Sequence, residues 1–165
     1  MILTKEVASN KLRRMALEIA ERNHDKDSLL LIGIKENGIV IARIIEQLLQ
    51  PIYAGKMTLL SLSLDKTNPG EIKLSENVNF NGANVLLIDD VANSGRTMLY
   101  ALKPLLEMHP AQVQTLALVE RTHKLFPIAV DYVGHSVATA TNENIVVQVN
   151  DGEVLGAELT RVTRG

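Results

Sequence analysis

Apolar residues fall into two periods along this chain. Between residues 5 and 23, Leu12, Met15, Ala16 and Ile19 recur at helical spacing, while Arg13, Arg14, Glu18, Glu21 and Arg22 lie mostly off that stripe. The pattern predicts an amphipathic helix with a solvated charged face. After the polar turn His24-Asp25-Lys26-Asp27, the run Ser28 to Ile34 is almost continuously apolar, as in a strand covered on both faces. Helical spacing returns at Ile41, Ile44, Ile45, Leu48 and Leu49. A partly alternating segment, 52–63, predicts a second strand. Leu64-Asp65-Lys66-Thr67-Asn68-Pro69-Gly70 is the strongest turn cluster, and Glu71-Ile72-Lys73-Leu74 is expected to return as a strand. Asn81-Gly82 forms another turn before a third apolar run at Val85-Leu86-Leu87-Ile88. A helix follows Thr97 with Met98, Ala101, Leu102 and Leu105 inward, and Pro104 is expected to kink or end it. Strands are predicted at 113–119, 129–134, 145–149 and 153–162, with a turn at Asp151-Gly152. Strands alternating with helices imply an α/β fold: a central parallel sheet flanked by helices. A small cap is expected from the 64–74 hairpin and the terminal segments.

The third apolar run changes character abruptly. Ile88 is followed by Asp89 and Asp90, then Val91-Ala92-Asn93-Ser94-Gly95-Arg96-Thr97. Two adjacent carboxylates at the end of a buried strand need something to pair with them. The small-residue loop leads into a helix start, where backbone N–H groups lack intrahelical partners and accept an anion. Ser94 and Thr97 add hydroxyl donors, and Gly95 allows close backbone approach. Asp89 and Asp90 are placed to hold hydroxyls or a magnesium ion of the same ligand. An acidic helix cap is the plainer alternative. The earlier strand also ends in a loop, Gly33-Ile34-Lys35-Glu36-Asn37-Gly38. In a parallel sheet both loops open at the carboxyl edge, facing one crevice. Gly33 and Gly38 are expected to frame a tight turn there, with Lys35 as a point charge.

Composition narrows the function classes. The 165 residues suit one domain, 1–165, with 46% hydrophobic and 22% charged residues. A net charge of −2 supplies no global field for nucleic acid or acidic lipid. There is no cysteine, which removes disulfide and thiol chemistry and suits a cytoplasmic location. No secretory leader is evident at the N-terminus, and no apolar run is long enough to span a bilayer. Three Tyr, two Phe and no Trp leave little for base-stacking platforms.

The order Leu86-Ile88-Asp89-Asp90-Val91 followed by Ser94-Gly95-Arg96-Thr97 resembles the donor signature of type I phosphoribosyltransferases. That resemblance implies a hood and a mobile β-hairpin lid on the α/β sheet, with Mg²⁺ as cofactor. It implies that Asp89 and Asp90 bind the ribose hydroxyls of phosphoribosyl pyrophosphate, touching the metal only through donor or water. Ala92, Asn93, Ser94, Gly95, Arg96 and Thr97 would wrap the 5′-phosphate, and Lys35, Glu36, Asn37 and Gly38 would face the pyrophosphate. Lys66 in the hairpin is a candidate catalytic contact, and Arg121 a substrate contact. Arg14 to Asn23, Gly33-Ile34-Lys35, Leu118 to His123, Pro127-Ile128 and Asp131 to Gly134 resemble the bifunctional pyrimidine-operon attenuator and uracil phosphoribosyltransferase family. Membership would imply a homodimer, a nucleobase as second substrate, and RNA as a partner. Purine enzymes usually carry an Asp where this chain has Asn93, and a neutral amide is no base at pH 7, which favours a pyrimidine, uracil first. On the RNA side, Arg13 and Leu17 replace a Thr and a His, and Ala129 and His135 stand where the family has Arg and Lys, while His123 is kept and Lys124 keeps a positive charge. The hairpin has Asp65-Lys66 in place of an Arg-Asp-Asp run. Segment 130–137 is the expected base pocket. A donor-binding protein without turnover is the third alternative.

Overall fold

The computed structural model describes residues 1–163. A two-residue strand, β1 (Leu3–Thr4), and an 18-residue helix, α1 (Lys5–Arg22), open the chain. The Thr4 hydroxyl accepts the Val7 N–H and caps the helix. The helix then buries the Leu12, Met15, Ala16 and Ile19 stripe. Next come β2 (Ser28–Ile34), α2 (Asn37–Leu49), β3 (Lys56–Ser63), β4 (Lys73–Leu74) and β5 (Asn84–Ala92). The rest is α3 (Arg96–Ala101), α4 (Lys103–Leu106), β6 (Gln112–Arg121), β7 (Tyr132–Val137), β8 (Glu143–Asn150) and β9 (Glu153–Arg161).

Six strands form one sheet in the order β4-β3-β2-β5-β6-β7, parallel except for β4. Its two centre strands, β2 and β5, carry the most continuous apolar runs, because helices or loops cover both faces there. A second sheet, β1-β9-β8, is antiparallel and forms a hood over one face. Ile145, Val147, Val154 and Ala157 of the hood share an apolar cluster with α1, α2, Leu86 and Ile88.

The α/β class and parallel sheet are as the sequence predicts, and three details differ. The cap is built from both chain ends, β1 included, whereas the hairpin belongs to the edge of the main sheet, with Leu62 opposite Leu74. The strand expected at 129–134 begins at Tyr132. Upstream, Thr115 replaces ladder bonds with its own: its hydroxyl donates to Ala129 O and its N–H donates to Asp131 Oδ2. Strand β3 starts four residues later than expected, since 50–55 form a turn closed by the Tyr53 hydroxyl donating to Lys26 O. The helix after Thr97 breaks at Leu102, as Pro104 predicts, and Pro104 lies in the first turn of a separate short helix, where its missing N–H costs nothing.

A buried polar knot fixes α1 against the sheet. Asn23 Nδ2 donates to Ile19 O, Gln114 Oε1 and the Tyr132 hydroxyl, and Gln112 Nε2 donates to Asn23 Oδ1. Asn23→Ala strands several of these groups away from water. It should lower unfolding stability by about 1–3 kcal/mol, read as a shifted urea midpoint at unchanged slope.

Candidate functional site

Strand β5 delivers Asp89 and Asp90 to the carboxyl edge of the sheet at 1% and 8% exposure. Their carboxylates stay close because each folds back on the chain: Asp89 Oδ1 accepts the Asp90 N–H and Asp90 Oδ1 accepts the Val91 N–H, both at 2.8 Å. Asn37, at the first position of α2, donates from one amide nitrogen to Asp90 Oδ2 and to Val147 O, both at 3.1 Å. One side chain thus joins α2, β5 and the hood. The remaining oxygen, Asp89 Oδ2, is buried with no partner among the described residues. The nearest cation is Lys66 Nζ, 3.7 Å from Asp89 Oδ1 and outside hydrogen-bond range. Burial pushes the Asp89 carboxyl well above the ordinary carboxylate range, the Asp90 charge raises it further, and Lys66 pulls it back.

Two glycines set the approach of α2. A Cβ on Gly38 would lie 2.8 Å from Ile88 O and 3.1 Å from Asp89 Cα, and one on Gly33 would lie 2.6 Å from Ile39 Cα. They flank the two-residue turn at 35–36, as the sequence predicts, and let the helix start press onto β2 and β5. The Lys35–Glu36 peptide in the preceding loop is cis. Gly95, at φ 86°, does take a conformation that side chains resist, and it starts α3. With six residues α3 has a small dipole, so the loop's own groups dominate its electrostatics. Across the loop, Ser94 O accepts the Leu125 and Phe126 N–H groups.

These elements enclose a cleft of about 230 Å³. That holds a sugar phosphate but falls short of the roughly 300–1,000 Å³ that encloses a drug-sized ligand. Asn37, Lys66, Asp89, Asp90, Ala92, Asn93, Ser94, Gly95 and Thr97 line it, as the pattern of the sequence suggests. Other expected positions do not reach the lining. Lys35 and Glu36 are exposed, and the Lys35 N–H donates to Leu62 O of β3. Gly38 is buried under the acidic pair. Arg96 turns toward the hairpin, donating to Thr67 O at 3.1 Å. Arg121 donates from Nη2 to Glu143 O at the start of β8. Segment 130–137 does not line the cleft either, and Tyr132 faces α1 through Asn23. The hood supplies that wall instead, through Ile145, Val146 and Val147. Nothing in their apolar alternation distinguishes them from an ordinary strand.

Among the described residues no group of three or more His, Cys, Asp or Glu side chains could hold a metal ion. None of their helices is long and apolar enough to cross a membrane.

Comparison with known proteins agrees with this geometry. Residues 1–152 match the phosphoribosyl transferase domain. A pyrimidine operon regulatory protein of Lactococcus lactis subsp. lactis is 33% identical over 155 residues, 91% of this chain and 90% of that protein. The bifunctional protein PyrR of Streptococcus mutans serotype c is 36% identical over 157 residues, 88% of this chain and 89% of that one. Among solved structures, a hypoxanthine phosphoribosyltransferase of Trypanosoma cruzi superposes with a TM-score of 0.82 at 16% identity, over 99% of this chain and 97% of that one. A hypoxanthine-guanine phosphoribosyltransferase of Bacillus anthracis gives 0.70 at 22% identity, over 88% and 85%. These two likenesses speak for the fold.

The raised Asp89 carboxyl has a stability consequence. Below its unfolded value, about 4, both states are protonated and Asp89 adds no penalty. As pH rises through the raised folded value the penalty becomes complete. In metal-free buffer at pH 8, Asp89→Asn should therefore raise Tm, by roughly 2–4 °C per kcal/mol relieved. The gain should vanish below about pH 4; a pH-independent loss of Tm would contradict it.

Proposed function

The chain belongs to the phosphoribosyltransferase family, and from that premise we propose that it moves ribose 5-phosphate from phosphoribosyl pyrophosphate to a ring nitrogen of a pyrimidine base, uracil first. The observation that carries the reading is the buried acidic pair with an unpartnered oxygen, set beside a hydroxyl- and amide-rich loop in one cleft. Asp89 and Asp90 accept the ribose hydroxyls. The 92–97 loop, with Ser94 and Thr97, takes the 5′-phosphate. Lys35, Glu36, Asn37 and Gly38 lie on the pyrophosphate side, and Arg121 on the base side.

The donor set suits magnesium brought in by the donor. Two carboxylates cannot cage the ion, but Mg²⁺ commonly binds one or two carboxylates together with substrate phosphates and water. Bound in that way, it would neutralise charge on the leaving pyrophosphate. The protein's own share is positioning. Anchoring the ribose and its phosphate away from C1 turns binding energy into alignment of the reacting bond. The hairpin, resting on the cleft through Lys66 and Thr67, excludes water as positive charge grows on the ribose ring. No nucleophilic side chain is required. In this reading residues 1–165 act as one cytoplasmic domain, paired as a homodimer.

The test is pyrophosphate release with uracil, orotate, hypoxanthine, xanthine and guanine. Uracil should give the highest kcat/KM; release with none of the bases, despite measurable donor affinity, would leave a donor-binding protein without turnover. Calorimetry on the double variant Asp89→Asn, Asp90→Asn should show donor affinity reduced at least about 100-fold, as expected for removing two charge-assisted contacts. Unchanged affinity would remove the acidic pair from the site.

A second reading, a uridine-nucleotide-responsive RNA regulator, is favoured by the names of the relatives. The surface supports it less. Lys124 is paired with Glu120 at 2.7 Å, and Leu17 is an exposed apolar residue on α1. Each phosphate contact absent from this face weakens affinity and flattens its salt dependence. Filter binding of pyrimidine-leader RNA, with and without uridine monophosphate, should therefore show only weak affinity. A sub-micromolar Kd with a steep salt slope would make regulation the primary role.

A further inference from the structure

The hairpin between β3 and β4 is tied down unevenly. Its stem packs: Leu64, Ile72 and Leu74 lie against the apolar cluster that contains Ile34, Leu60 and Leu62. The ladder behind it has only two pairs, Leu62 with Leu74 and Ser63 with Lys73. The tip, Asp65 to Asn68, is exposed and forms no backbone–backbone hydrogen bond among the described residues. Side chains hold it instead. Asp65 Oδ1 accepts the Thr67 hydroxyl at 2.7 Å, the Thr67 N–H at 3.0 Å and the Asn68 N–H at 3.3 Å. Those bonds, with the positive charge of Arg96, keep the Asp65 carboxyl below the ordinary carboxylate range. So folded, the tip turns the Thr67 carbonyl toward Arg96, whose Nη2 donates to it at 3.1 Å. One residue back, Lys66 points its ammonium at Asp89.

Arg96 belongs to a different element. It follows Gly95, and its N–H donates to Ser94 Oγ at 3.2 Å, so its backbone is fixed within the 92–97 loop. Its side chain crosses to the hairpin. We propose that Arg96 and Asp65 are positioning residues, a clasp that seats the hairpin tip against the 92–97 loop and holds Lys66 over the cleft. The inference rests on the phosphoribosyl-transfer reading and concerns how that same site is closed. Lys66 needs such support. Its side chain is 46% exposed, and a flexible four-carbon stem leaves the ammonium no better placed than the backbone that carries it. The two clasp residues have separable tasks. Asp65 gives the tip its shape through one acceptor oxygen, which an amide supplies equally well. Arg96 gives the shaped tip a fixed neighbour. Because both act on the Thr67 carbonyl, losing either should release the tip, and losing both should do little more.

Limited proteolysis with subtilisin, a protease of broad specificity, tests the clasp without requiring turnover. The rate of cutting within the hairpin, read from fragment masses, follows the population in which the tip is released. Arg96→Gln and Asp65→Ala should each speed cutting about 5–10-fold, the effect of one exposed hydrogen bond. Asp65→Asn keeps the acceptor oxygen and should be cut at close to the wild-type rate. The double variant Arg96→Gln, Asp65→Ala should be cut no more than about twice as fast as the faster single variant, whereas independent effects would multiply to about 25–100-fold. In pyrophosphate release, kcat should fall about 5–10-fold in Arg96→Gln and in Asp65→Ala and hold in Asp65→Asn. Wild-type cutting of Arg96→Gln, or a double variant at the product of the single effects, overturns the clasp. Faster cutting with kcat unchanged in both single variants overturns its part in positioning Lys66. A wild type that releases no pyrophosphate with any base defeats the transfer reading instead, and the cutting rates still decide the clasp.

Discussion

Two carboxyl groups held side by side out of water are the constraint around which this molecule is arranged. Asp89 and Asp90 sit at the end of the strand that runs through the middle of the sheet, where burial and the neighbouring Asp90 charge both disfavour ionisation of Asp89. The fold offsets this only in part, with two backbone N–H groups, the Asn37 amide and a distant Lys66. One carboxylate oxygen is left over. Such an arrangement stabilises no fold by itself. It makes sense as a site whose missing partners arrive with a ligand, at some cost in stability to the empty protein.

Several distant features serve that pair. Gly33 and Gly38 have no side chain because a Cβ would lift the start of α2 off β2 and β5, and Asn37 would lose its reach. Asn37 in turn ties the acidic pair to Val147, so the hood is registered against the carboxyl edge of the sheet by the same amide that steadies a carboxylate. The hairpin touches the edge twice, through Lys66 to Asp89 and through Thr67 O, which accepts from Arg96.

The centre of the cleft was readable in the chain and its rim was not. An apolar run that breaks into two acids and then into small residues has few physical explanations, and the cleft contains Asp89 through Gly95 together with Thr97. Strand and helix identities were readable for the same reason, since their periods are strong. The hood wall was hidden because Ile145, Val146 and Val147 look like any half-buried strand; only the long-range pairing of β8 with β9, and of β9 with β1, brings them over the edge. Two residues, Leu3–Thr4, are too few to show a period at all. Thr115 displaced the start of β7 by using its side chain where a ladder bond was expected, a tertiary substitution that no local pattern encodes.

The most direct measurement is a crystal structure of the protein grown with phosphoribosyl pyrophosphate and magnesium. The account predicts density for the ribose hydroxyls within hydrogen-bond distance of Asp89 and Asp90, with the 5′-phosphate seated in the loop from Ala92 to Thr97. Donor bound elsewhere, or an empty cleft with Lys66 drawn into a direct hydrogen bond with Asp89, would contradict it.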